Sequence, residues 1–243
     1  MQTIPLRELS IVFIPTIFLL VIMYRWQLKA WVAVYANIRM IFQLLLAGYF
    51  LTYIFDTTQP IIIILLLVLM ILVSTWIVLR SFEGYEIKPY WIVLISIGGP
   101  GLILLFIVTQ LVLVMPRWFE PNIVIPIAGM IFANSMNTVS LAAERFESEF
   151  KRGASYIVAR ETALDAALIP QINSLFAVGL VALPGMMTGQ ILSDIDPNIA
   201  VRYQIMVMCM IFASTGLSTA IFLTLSKRRV RGSATPVRQP DPN

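Results

Sequence analysis

From Ile61 to Val73 the chain reads IIIILLLVLMILV, thirteen residues without one polar side chain. Such a stretch must satisfy its own backbone N–H and C=O groups, and in hydrocarbon only a helix or a closed barrel does so. Barrel strands alternate apolar and polar residues. This run does not alternate, so it reads as a membrane-spanning helix.

Seven runs of this character follow one another: about Leu9–Tyr24, Met40–Phe55, Ile61–Leu79, Tyr90–Met115, Ile123–Ala142, Gln171–Leu192 and Tyr203–Leu225. With 59% of the 243 residues hydrophobic and 12% charged, the expected fold class is all-α, a polytopic integral membrane bundle of about seven helices. Residues 1–230 read as a single transmembrane domain with a cytoplasmic amphipathic loop at about 143–170. The Pro-rich, polar end, 231–243, reads as a disordered cytoplasmic tail. Only Arg7 precedes the first run, Glu8 offsets it, and no small-residue cleavage site follows, so that run is expected to remain as an anchor. Fourteen of the 17 Lys and Arg, among them Arg39, Lys88, Arg152 and Arg228, fall on one side of the spans, and Arg7, Arg117 and Arg202 on the other. Basic residues stay cytoplasmic, which places the N-terminus outside and the C-terminus inside, in the inner membrane if the cell is bacterial.

Several chemistries are excluded. The chain has no histidine, and Cys209 is its single cysteine. The commonest catalytic base and transition-metal ligand is therefore missing. No GxxxxGK[ST] loop occurs, so the chain is not expected to be an enzyme that hydrolyses ATP. The last span holds no lysine for a Schiff base, which disfavours a retinal protein.

Six segments carry the remaining signal. Glu144–Pro170 reads as two short helices separated at Gly153, the first with a stripe of Phe146 and Phe150 amid charges and a Glu147–Lys151 pair, the second stopped by Pro170. The stripe either packs under its own membrane domain or docks a cytoplasmic partner. Trp26–Ile38 reads as an interfacial elbow, or as an extension of the second span. In the fifth span Asn134, Asn137 and Thr138 form one polar stripe, which either glues helices together or lines a path. Breaks are expected at Gly98–Gly101 and at Pro184, Gly185, Met186, Met187, Thr188 and Gly189, where Thr188 has the carbonyl of Pro184 within reach. Such a break serves as a hinge or part of a cargo path, or is a packing kink. Met206 and Met210 share a face beside Cys209, but Met208 points away, and adaptable filler is the preferred reading of these methionines.

Together, RMIFQLLLAG (39–48), PIAGMIFANSMN (126–137), GASYIVARETALDAALIPQIN (153–173), VALPGMMTGQIL (181–192) and RYQIMVM (202–208) resemble the small family of ABC-transporter permease subunits. That family includes the bacterial Fet-type proteins described as iron exporters and the plant aluminium-sensitivity and tolerance permeases. The resemblance spans roughly Ala30–Leu225. It implies a permease homodimer in lipid, paired with a separate ATP-binding subunit that brings ATP and Mg, and no nucleic-acid partner. It favours docking of that subunit on the loop, through Phe146, Phe150, Arg152, Gly153, Arg160 and Glu161. The cargo stays open between iron, another metal, a chelate and a nucleotide sugar. An ATP-independent secondary transporter with paired discontinuous helices is the alternative.

Overall fold

The computed structural model describes residues 5–55, 59–80 and 90–233. Lys88 and residues 234–243 of the expected tail lie outside them. The chain divides into two units, Met1–Thr58 and Gln59–Asn243. The first contains α1 (Leu6–Ile11), α2 (Phe13–Arg25) and α3 (Ala30–Phe55). None of the residues of α2 or α3 is buried. The expected elbow at Trp26–Ile38 is not separate: α3 runs unbroken from Ala30, and Gln27 (φ 57) makes the turn before it.

The second unit holds α4 (Pro60–Leu79), α5 (Tyr90–Phe106) with a π-helical end at Ile107–Val112, α6 (Pro121–Lys151), α7 (Tyr156–Ala177), α8 (Gly185–Leu192) and α9 (Pro197–Ser233). α6 packs against α4, α5, α7 and α9. Its neighbours approach closely because small residues line the contacts. Ala159, Ala163 and Ala167 form the inner face of α7, and Thr75, Ser96, Ser135, Thr138, Ser214 and Thr215 are buried between helices. Lipid tails are as apolar as leucine, so close backbone approach and dispersion, not expulsion of water, hold such helices together. Ser96, Thr138 and Thr215 return their hydroxyls to carbonyls four residues back at 2.6, 3.0 and 2.9 Å.

Gly98–Gly101 is not a break. α5 is helical through Pro100. A Cβ at Gly101 would stand 2.5 Å from Phe132 Cε1, and one at Gly98 would stand 3.3 Å from Ile71 Cγ2, so these glycines let α6 and α4 reach the α5 backbone. The irregularity lies further along, where Leu113 N bonds to Val108 O in the π-helical register and Val114 follows at φ 47.

Among the described residues six helices are long and apolar enough to cross a membrane: Arg7–Arg25, Ala30–Phe55, Pro60–Leu79, Tyr90–Val112, Pro121–Lys151 and Pro197–Lys227. This is a multi-pass membrane bundle. The expected sixth run, Gln171–Leu192, is instead divided: α7 ends at Ala177, the chain is non-helical from Val178 to Pro184, and α8 takes up the rest. Pro170 does not stop α7, although a proline removes one backbone bond and costs about 3 kcal/mol in a helix interior. Packing of the alanine face on α6 and α9 outweighs that loss.

Candidate coupling turn and translocation face

The loop expected at 143–170 is built from helix. α6, at 31 residues, is ~46 Å long at 1.5 Å per residue, well beyond the ~30 Å of hydrocarbon. Its charged last turns continue the span. Lys151 pairs with Glu147 as expected, and Arg145 with Glu149 at 2.9 Å. Gly153 at φ 87 then ends the helix, with Gly153 N on Phe150 O at 3.0 Å and Ala154 N on Glu149 O at 3.1 Å. Ser155 caps α7, accepting from Val158 N at 3.4 Å. The result is a tight helical turn in place of two separate short helices.

Phe146 is buried and faces inward. It stacks on Phe150 at 6.3 Å and meets the edge of Tyr156 at 6.0 Å. The Tyr156 hydroxyl donates to Leu223 O at 2.9 Å, and Arg160 and Lys227 lie over its ring at 5.8 and 5.6 Å. The aromatic stripe thus ties α6 and α7 to the far end of α9. Exposed at the turn are Lys151, Arg152, Gly153, Glu161 and the apolar Ile157 and Val158. Tyr156 and Val158 escaped the sequence reading; a tyrosine directly after a Ser N-cap was the available signal.

Asn134, Asn137 and Thr138 share one side of the continuous helix α6 but differ in burial. Thr138 is buried, Asn137 is exposed, and Asn134 lies between them, donating to Met130 O at 2.8 Å and accepting from Gln171 Nε2 at 3.5 Å. The exposed face of α7 carries Val158, Glu161, Asp165, Ile169, Asn173 and Phe176 at helical spacing, opposite its alanines. Carboxylates and amides on an exposed helix face are penalised by hydrocarbon. Asp165, Asn173 and Asn137 therefore suit contact with water or protein.

At the other end of the unit, Gly179 (φ 82) turns the chain after α7, and Ala177 O accepts from Leu180, Val181 and Ala182 N. Leu180 and Val181 form an apolar tip, 90% and 86% exposed. Pro184 is the N-cap residue of α8 and Gly185 its first residue, so the break is a seven-residue interruption and not a kink within one helix. Thr188 Oγ1 donates to Pro184 O at 3.1 Å, as the sequence suggests. Met186, Met187 and Gly189 are half-buried. Between this segment and the start of α9 lies a cavity of about 340 Å³ lined by Leu175, Val178, Met187, Gln204, Met208 and Cys209, among others. Among the described residues no three His, Cys, Asp or Glu side chains converge to hold a metal ion.

Residues 6–230 match the family model described as "Uncharacterised protein family (UPF0014)". The "Probable iron export permease protein FetB" of Escherichia coli is 36% identical over 212 residues, 80% of each chain. A UPF0014 membrane protein of Synechocystis is 32% identical over 200 residues, 76% of this chain and 77% of the relative. "Protein ALUMINUM SENSITIVE 3" of Arabidopsis thaliana is 27% identical over 201 residues, 76% and 72% of the two chains. No solved structure matches.

Proposed function

Because the chain belongs to the UPF0014 family of membrane proteins, we propose that it is the permease subunit of an ABC transporter. It works as a homodimer with a separate ATP-binding subunit, exporting iron or another metal-related or small polar solute. The observation that carries this reading is the α6–α7 turn. It projects past the expected bilayer and presents Arg152, Ile157, Val158 and Glu161, and Tyr156 bonds it to α9. Force applied there by a nucleotide-driven partner passes directly into α6, α7 and α9. The polar outer face of α7 supports a second copy or an aqueous path beside it. The Escherichia coli relative is named a probable iron export permease.

The secondary-transporter reading needs paired discontinuous helices. It draws support from the Val178–Pro184 interruption, but α5, where the counterpart was expected, is continuous through Pro100.

Co-expression with an ATP-binding subunit tests the proposal. The two are expected to copurify and to show ATP-dependent transport in vesicles. Arg152→Glu with Ile157→Asp, both on the exposed turn, should lower copurification at least tenfold at unchanged thermal stability. Undiminished copurification would remove the turn from the docking surface.

A further inference from the structure

Three sulfur-bearing side chains from two helices line one cleft, open enough at its mouth to leave Cys209 exposed. Met187 comes from α8, and Met208 and Cys209 come from α9; all three border the 340 Å³ cavity. The sequence pairs Met206 with Met210 instead, but Met210 is buried at 3% exposure and neither borders the cavity. A second feature points to a ligand independently. Gln204, 5% exposed, also borders the cavity, and its Oε1 is buried without a hydrogen-bond donor. Buried acceptors are nearly always paired, so this amide has to turn toward the cavity to find a donor.

We propose that this cavity binds one soft monovalent metal ion, of the copper(I) or silver(I) class. A thiolate with two thioethers is a donor set that selects such ions over hard ones. The two thioethers are neutral and need no deprotonation. Cys209 supplies the single negative charge that balances the ion: its S–H bond breaks, an S–metal bond forms, and the proton leaves to water through the cavity mouth. Apart from Gln204, the lining offers the ion no oxygen or nitrogen side chain. This inference stands on the cavity alone and does not depend on an ATP-binding partner.

Silver(I) titrated into the purified full-length chain in thiol-free nanodiscs should bind at one ion per chain. X-ray absorption should report a first shell dominated by sulfur. The variant Met187→Leu, Met208→Leu, Cys209→Ser conserves volume closely and should bind at least 100-fold more weakly at similar thermal stability. Met206→Leu with Met210→Leu should bind as the unaltered chain does. In the unaltered chain, a seated silver ion should slow alkylation of Cys209 by a membrane-permeant maleimide at least tenfold, which needs no variant to fold. No stoichiometric binding, a shell of nitrogen and oxygen, a triple variant within threefold of the parent, or unchanged alkylation would each overturn the assignment.

Discussion

Tyr156 touches three helices at once: its ring meets Phe146 of α6, its own helix is α7, and its hydroxyl reaches Leu223 of α9. Tyr156→Phe keeps the ring contacts and deletes one bond, so equilibrium unfolding in detergent should show a loss of about 0.5–1.5 kcal/mol. Gly101 is the opposite case, a residue important for what it lacks. Gly101→Ala would force a methyl against the buried ring of Phe132, and a loss of about 1–3 kcal/mol is expected by the same measurement. Val114, β-branched at φ 47, sits in backbone space that glycine occupies freely. Val114→Gly should therefore leave the chain as stable or more so, by up to ~1 kcal/mol.

At the scale of the element, the interruption between α7 and α8 behaves differently from a kinked helix. Pro184 already lies outside α8, at φ −62 and ψ 146, so replacing it does not straighten anything. Gly185 and Gly189 are within α8 with open space where a Cβ would go. Gly185→Ala with Gly189→Ala should stiffen α8 by about 1 kcal/mol each. If α8 moves during transport, vesicle transport falls while thermal stability holds or rises; unchanged transport would make α8 a static plug. The α6–α7 turn yields the reverse expectation. Phe146→Ala empties a buried site and should cost ~3 kcal/mol. Loss of partner binding in that variant would then reflect unfolding of the turn, which is why the exposed Ile157 is the better probe.

Across the whole molecule, how much could be read in advance depends on how local each signal is. The apolar runs and the Gly153 terminator act within a few residues, and both were legible. Pro170 and Pro100 depend on neighbours distant in sequence, and both were misread; how deeply each residue of the Asn134–Thr138 stripe is buried depends on such neighbours too. Traverse count illustrates both. α7 begins beside the end of α9, at Leu223, and ends beside its start, at the cavity, so α7 with α8 returns the chain across the second unit despite the interruption. Orientation is testable in a Cys209→Ser background: a cysteine at Asn198 should react with an impermeant reagent from outside, and one at Lys151 should not. The opposite labelling would invert the assignment and put the α6–α7 turn out of reach of a cytoplasmic ATPase. By itself the sequence determined that this chain lives in a membrane as helices, because uninterrupted hydrocarbon leaves backbone groups no other partners. Only tertiary structure decided which prolines interrupt, which polar residues face out and which sulfurs share a cavity. Those outcomes turn on packing between helices, where an alanine face or a missing Cβ outweighs a local preference of a few kcal/mol.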